Sequence, residues 1–157
     1  RFDKLPIYLS WAGQEYKEET INDYCNRFSE LVFEGVINSD WVPGAESYLK
    51  SNPYKQNFIM VSATPQEELE LILEKLNLKQ CFNNIFGSPK RKKDAISETL
   101  KYSNIPPQKS LMIGDAQEDM DAAQDNNVDF LLRVHLNNEL LFSNYKGEKM
   151  KDFDEYE

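Results

Sequence analysis

Three short stretches of the chain carry residue types that could do chemistry together. Leu111-Met112-Ile113-Gly114-Asp115-Ala116-Gln117-Glu118-Asp119 ends an apolar run in one carboxylate and sets a second four residues on, with Gly114 giving the backbone room. Carboxylates converging at a strand end can hold Mg²⁺, which takes oxygen ligands and keeps positions for water or phosphate. The plainer reading is that Asp119 only caps the following helix. Ser62-Ala63-Thr64 follows another apolar run, Phe58 to Val61, and presents a hydroxyl and successive backbone N–H groups at a helix mouth. That arrangement suits an anion such as phosphate, although a Ser or Thr in this place also serves as an ordinary cap. In Gly87-Ser88-Pro89-Lys90-Arg91-Lys92-Lys93, four cations stand in a row on an acidic chain. A charge run is often only a solvated face, but cations at a helix start oppose its dipole, so at least one of them is expected to have a task.

The elements around these stretches follow from hydrophobic periodicity. From Gln14 to Phe33 the residues Ile21, Tyr24, Cys25, Phe28, Leu31 and Val32 recur at three- and four-residue steps, which predicts a helix. Trp41-Val42-Pro43-Gly44 breaks the pattern, and Ala45, Tyr48 and Leu49 begin a short helix that stops before Asn52-Pro53. The period then changes. Phe58-Ile59-Met60-Val61 predicts a strand buried on both faces. Thr64-Pro65 followed by Glu67 and Glu68 predicts a helix with Thr64 as cap and Pro65 as first residue, its stripe made of Leu69, Ile72, Leu73 and Leu76. Strand and helix alternate twice more, Ile85-Phe86 before 94–102 and Leu111-Ile113 before 120–126, and Phe130-Leu131-Leu132 is a last strand. Such alternation requires crossovers and yields an α/β fold, a parallel sheet flanked by helices. Ligands bind beyond the carboxyl ends of the strands in such a sheet, where all three stretches fall.

Composition narrows the partners. The 157 residues suffice for one domain with a small appendage. Their net charge of −9 opposes nucleic acid and anionic membrane surfaces. An apolar fraction of 40% with 12% aromatic supports a real core. No apolar run exceeds four residues, so no membrane span or signal segment can be placed, and the expected compartment is the cytoplasm. Cys25 and Cys81 are far apart and in no CxxC arrangement, and read as two buried thiols. The charged tail from Asn144 lacks periodicity and is expected to be loose.

Hydroxyl and amides, then a lysine, then paired acids, each at a strand end and in that order, resemble the haloacid dehalogenase-like superfamily of phosphohydrolases and phosphotransferases. The resemblance runs from about Trp41 to Leu132. It implies a Rossmann-like sheet with a small α-helical cap at the amino terminus: residues 1–40 a partial cap, 41–143 the core, 144–157 the charged tail. Val42-Pro43-Gly44-Ala45 is similar to the segment leading from an inserted helical cap back into the core. By resemblance Ser62, with the amides of Ala63 and Thr64, binds phosphoryl oxygens. Lys92, fitting Ser-Pro-x-x-Lys-x-acid/polar-x-Ile from Ser88 to Ile96, neutralises charge, and Asp115 and Asp119 hold Mg²⁺ directly or through water.

One motif is missing. The family's first motif, Asp-x-Asp at the end of the first core strand, supplies the nucleophile and general acid/base, and nothing before Trp11 qualifies. The triplets Asp119-Met120-Asp121 and Asp152-Phe153-Asp154 read as surface acids, without the Thr or Ser that should follow. The chain is therefore expected to lack its nucleophile and the middle strand of its sheet. The implied activity of the intact protein is Mg²⁺-dependent hydrolysis of a small phosphorylated metabolite through an aspartyl-phosphate. The alternatives are a phosphomutase and a non-catalytic remnant that binds a phosphorylated ligand or a partner.

Overall fold

A computed structural model describes residues 4–154, which form two compact units that meet in sequence between Asp40 and Trp41. The first unit is helical: α1 (Leu5–Trp11), with Pro6 in its first turn, and α2 (Glu18–Ile37). Of the stripe predicted for α2 only Cys25 is buried, while Tyr24, Phe28 and Leu31 stay about half exposed. Within the unit the seven-residue α1 is too short to cover a twenty-residue helix.

In the second unit α3 (Ala45–Ser51) is followed by β1 (Ile59–Pro65), α4 (Gln66–Lys75), β2 (Asn84–Ser88), α5 (Lys92–Ser103), β3 (Leu111–Gly114), α6 (Gln117–Asp125), β4 (Asp129–Arg133) and β5 (Lys149–Met150). All pairings are parallel: β1 with β2 in the register Met60 to Ile85 and β3 with β4 in the register Met112 to Phe130, joined by the crossover helices α4 and α6, and β4 with β5, joined by the turns of 134–148. The single sheet resolves into two, β1-β2 and β3-β4-β5, with no ladder joining β1 to β3. Each sheet has its own core. Leu69 and Leu73 of α4 pack with Leu78, Met60 and Ile85; Ile96 of α5 packs with Ala122, Ala123, Val128 and Met112. Burying such side chains is worth about 1.5–3 kcal/mol apiece for the larger ones.

Four helix ends share one device. Asn52, Asn77, Asn104 and Asn127 stand at or just past the ends of α3, α4, α5 and α6 with φ of 42°, 54°, 52° and 53°. This is the left-handed termination usually given to glycine, and asparagine tolerates it.

Three expectations are corrected. Phe58 to Val61 is half-buried, not buried on both faces, because β1 has a neighbour on one edge only. Pro65 ends the strand and occupies the N-cap position of α4, so the helix starts one residue later than predicted and Thr64 makes no cap hydrogen bond. The tail from Asn144 is not loose over its described length. Met150 is 3% exposed on β5, the Phe153 ring packs on Tyr48, and the Phe153 N–H donates to the Pro43 carbonyl at 2.9 Å. Its apolar residues are too sparse to show a period, but each finds a tertiary partner.

Candidate active site

The strand ends bring two of the predicted residues into direct contact. Lys92, the first residue of α5, reaches from the end of β2 to α6, where its Nζ lies 2.5 Å from Asp119 Oδ1. The pair is shielded, with side-chain exposures of 18% and 7%. The other oxygen of Asp119 accepts the Ala116 N–H at 3.2 Å, so this carboxylate satisfies an otherwise unpaired amide at the helix start and also neutralises the lysine. Gly114 is what lets Asp119 fold back: a Cβ there would lie 2.4 Å from Asp119 Cβ.

Asp115 is placed differently. Its side chain is half exposed, with Oδ2 3.2 Å from His135 Nε2. Asn137 N–H donates to His135 Nδ1 at 3.3 Å, which leaves Nε2 as the protonated nitrogen facing Asp115. The Asp115 carbonyl accepts a hydrogen bond from Asn138 Nδ2 at 2.9 Å. Sequence reasoning missed His135 and Asn138. The signal was the only histidine of the chain, two residues past the end of β4, at the carboxyl end of a parallel strand.

The other three cations of the run are paired with acids outside this contact: Lys90 with Glu98, Arg91 with Asp94 at 2.8 Å, and Lys93 with Asp125 at 3.6 Å. The hydrogen bond from Lys90 to Glu98 raises the lysine pKa, and the bond from Arg91 lowers that of Asp94, so each bond favours the charged form of Lys90 and of Asp94. Lys92 alone in the run is turned inward, toward the paired acids.

Ser62 Oγ accepts the Thr64 N–H at 3.1 Å and donates to Thr64 Oγ1 at 3.1 Å. The Ser62 hydroxyl thus occupies the Thr64 amide assigned to phosphate. Ser62, Ala63, Ser88 and Lys92 share a cleft of about 380 Å³ with Glu118 and Asp121. Thr64, Asp115 and Asp119 do not line it. Asp121 is exposed and accepts from Gln117, whereas Asp152 and Asp154 follow β5, at the far edge from β3 of the sheet that β3 and β4 begin.

Among the described residues no three His, Cys, Asp or Glu side chains gather as a metal cage. Mg²⁺ does not demand one, since it is commonly held by one or two carboxylates with water and phosphate completing its shell. The half-exposed Asp115 fits that requirement as a direct ligand. Asp119, with both oxygens engaged, fits as a ligand through water or by sharing the oxygen that Lys92 holds.

Among solved structures the chain is similar to a haloacid dehalogenase-like family hydrolase from Streptococcus pneumoniae (TM-score 0.65, 18% identity, 85% of this chain and 66% of that one). It is also similar to a predicted phosphoglycolate phosphatase from Haemophilus somnus (TM-score 0.75, 16% identity, 92% and 68%) and to β-phosphoglucomutase from Clostridium difficile (TM-score 0.70, 21% identity, 100% and 73%). The chain thus spans about two thirds to three quarters of their lengths. No curated protein sequence matches it significantly. The model of the haloacid dehalogenase-like hydrolases matches residues 6–133, a span that includes Ser62, Lys92, Asp115 and Asp119. Because that match covers well over half of the chain, the chain belongs to the haloacid dehalogenase-like hydrolase family.

Proposed function

We propose that this chain is the cap and most of the core of a Mg²⁺-dependent phosphohydrolase for a small phosphomonoester, and that its nucleophilic aspartate is carried on a further strand that pairs with both β1 and β3. The observation that carries the reading is the contact of Lys92 with Asp119, which draws the ends of two sheets together although no ladder joins β1 to β3. One more parallel strand on those free edges would satisfy their backbone groups and end beside Lys92, Ser62 and Asp115.

In the reaction, the first aspartate of the Asp-x-Asp on that strand attacks phosphorus while the second, as a carboxylic acid, gives its proton to the departing alkoxide; that carboxylate then takes a proton from the water that hydrolyses the aspartyl-phosphate, releasing phosphate and regenerating both acids. Ser62 gives the hydroxyl proton now donated to Thr64 Oγ1 to a phosphoryl oxygen, and a rotation of its side chain that also takes Oγ off the Thr64 N–H frees that amide for a second one. Lys92 neutralises charge between nucleophile and phosphate while Asp119 fixes its ammonium in place. Asp115 would hold Mg²⁺, which when bound offsets charge on the transferring group. A phosphomutase would use the same groups and differ only in passing the phosphoryl group to a sugar hydroxyl; the fold match to a β-phosphoglucomutase keeps that as the second reading.

The test is hydrolysis of a generic phosphomonoester with Mg²⁺ by the 157-residue chain and by a chain extended upstream in its reading frame. The extended chain should turn over substrate and lose activity on Asp115→Asn, while the 157 residues alone stay inert. Turnover by the 157-residue chain that is abolished by Asp115→Asn would overturn the assignment of the nucleophile to another strand. An inert extended chain would instead favour a non-catalytic ligand-binding protein.

A further inference from the structure

We propose that Asn138 is a positioning residue for Asp115, acting through the Asp115 backbone; the inference rests on the reading of Asp115 as the Mg²⁺ ligand. Asn138 is 4% exposed, and in this buried place its side chain uses three hydrogen-bonding positions. Nδ2 donates to the carbonyls of Asp115 and Arg133, each at 2.9 Å, and Oδ1 accepts the His135 N–H at 2.9 Å. One amide therefore ties the residue after β3 to the end of β4 and to the turn that follows.

The partners explain why the clamp matters at Asp115. β3 ends at Gly114 and α6 begins at Gln117, so Asp115 stands on a two-residue bridge, and no strand ladder includes it. Asn138 supplies the bond that fixes the Asp115 carbonyl there. The bond to the His135 N–H sets the turn from which the His135 ring meets Asp115 Oδ2 at 3.2 Å. Backbone and carboxylate of Asp115 are thus both oriented from the 135–138 turn. Partners of this kind, which orient a ligand without touching the metal, typically change metal affinity by about ten- to a hundredfold when removed. The need for a fixed carbonyl and a fixed carboxylate at one position accounts for a buried asparagine with three side-chain hydrogen bonds on a surface turn whose neighbours Leu136 and Leu140 are each 90% exposed.

The experiment measures the midpoint of Mg²⁺ binding to the 157-residue chain by isothermal titration calorimetry, in wild type, Asn138→Ser, Asp115→Asn and the double variant. Serine retains a hydroxyl for one carbonyl, and Asn138→Ala is the harsher companion; far-UV circular dichroism checks that each variant is folded. We expect Asn138→Ser to raise the midpoint about tenfold and to change it less than about twofold when Asp115→Asn is already present, since the effect runs through Asp115. A midpoint unchanged by Asn138→Ser, while Asp115→Asn raises it, would overturn the positioning role and leave the metal reading intact. An equal rise in both backgrounds would show a general structural role instead. A wild-type chain that does not respond to Mg²⁺ removes Asp115 as a ligand and this inference with it.

Discussion

Replacing Lys92 by methionine keeps most of the apolar stem and removes the ammonium, leaving Asp119 as a carboxylate with 7% side-chain exposure and one hydrogen bond, from the Ala116 N–H. Two limits bracket the cost. Exposed ion pairs contribute about 0–1 kcal/mol, whereas removing one partner of a buried pair costs about 3–5 kcal/mol because a charge is left uncompensated. The shielding of Lys92 and Asp119, at 18% and 7%, places this pair nearer the buried limit, and the Ala116 amide that remains lowers the loss. We expect about 2–3 kcal/mol, read from urea unfolding followed by far-UV circular dichroism with an unchanged denaturant slope. Most of that loss is the orphaned charge, so Asp119→Asn should reduce it: in that background Lys92→Met should cost less than about 1 kcal/mol, because a neutral amide oxygen can still accept the Ala116 N–H. Added salt should change the loss little, since a shielded pair is weakly screened. A loss under about 0.5 kcal/mol, or an equal loss in both backgrounds, would refute the reasoning and make Lys92 a solvated cation.

Two further perturbations test the supports of the site. Gly114→Ala puts a Cβ 2.4 Å from Asp119 Cβ, so Asp119 must move off both Lys92 and Ala116; the expected loss is about 2 kcal/mol or more, and a crystal structure of the variant with Asp119 unmoved would contradict it. Tyr145, whose hydroxyl donates to the Phe130 carbonyl at 3.1 Å, has its pKa raised by burial and then by Glu148. A folded-state pKa above the unfolded value contributes stability that is full below about pH 10 and is lost as pH rises through the folded pKa. Tyr145→Phe should therefore cost about 1 kcal/mol at neutral pH and flatten the decline of melting temperature above pH 10; a decline as steep as wild type would assign it to other groups.

Hydrophobic period is a local property, and it determined the order of strands and helices from Ala45 to Arg133. The carboxyl-end rule likewise followed from the alternation alone, and it led to Ser62, Asp115, Asp119 and the run from Lys90 to Lys93, within which only the resemblance from Ser88 to Ile96 singled out Lys92. What the residues do at those places was decided by distance in space. The sequence spacing of Asp115 and Asp119 left open whether they share one cation or whether Asp119 caps a helix. Folding makes Asp119 the partner of both Ala116 and Lys92 and leaves Asp115 half exposed. Which of four adjacent cations faces the acids depends on how the start of α5 is turned toward α6, a packing choice that no run of like charges encodes. His135 and Asn138 stand 20 and 23 positions after Asp115 and belong to a turn with no period, so their role arises only when β4 lies beside β3. The same holds for Met150 and Phe153: isolated apolar residues in a charged tail carry no local signal, and only β4 and Tyr48, brought near by the fold, give them a surface to bury.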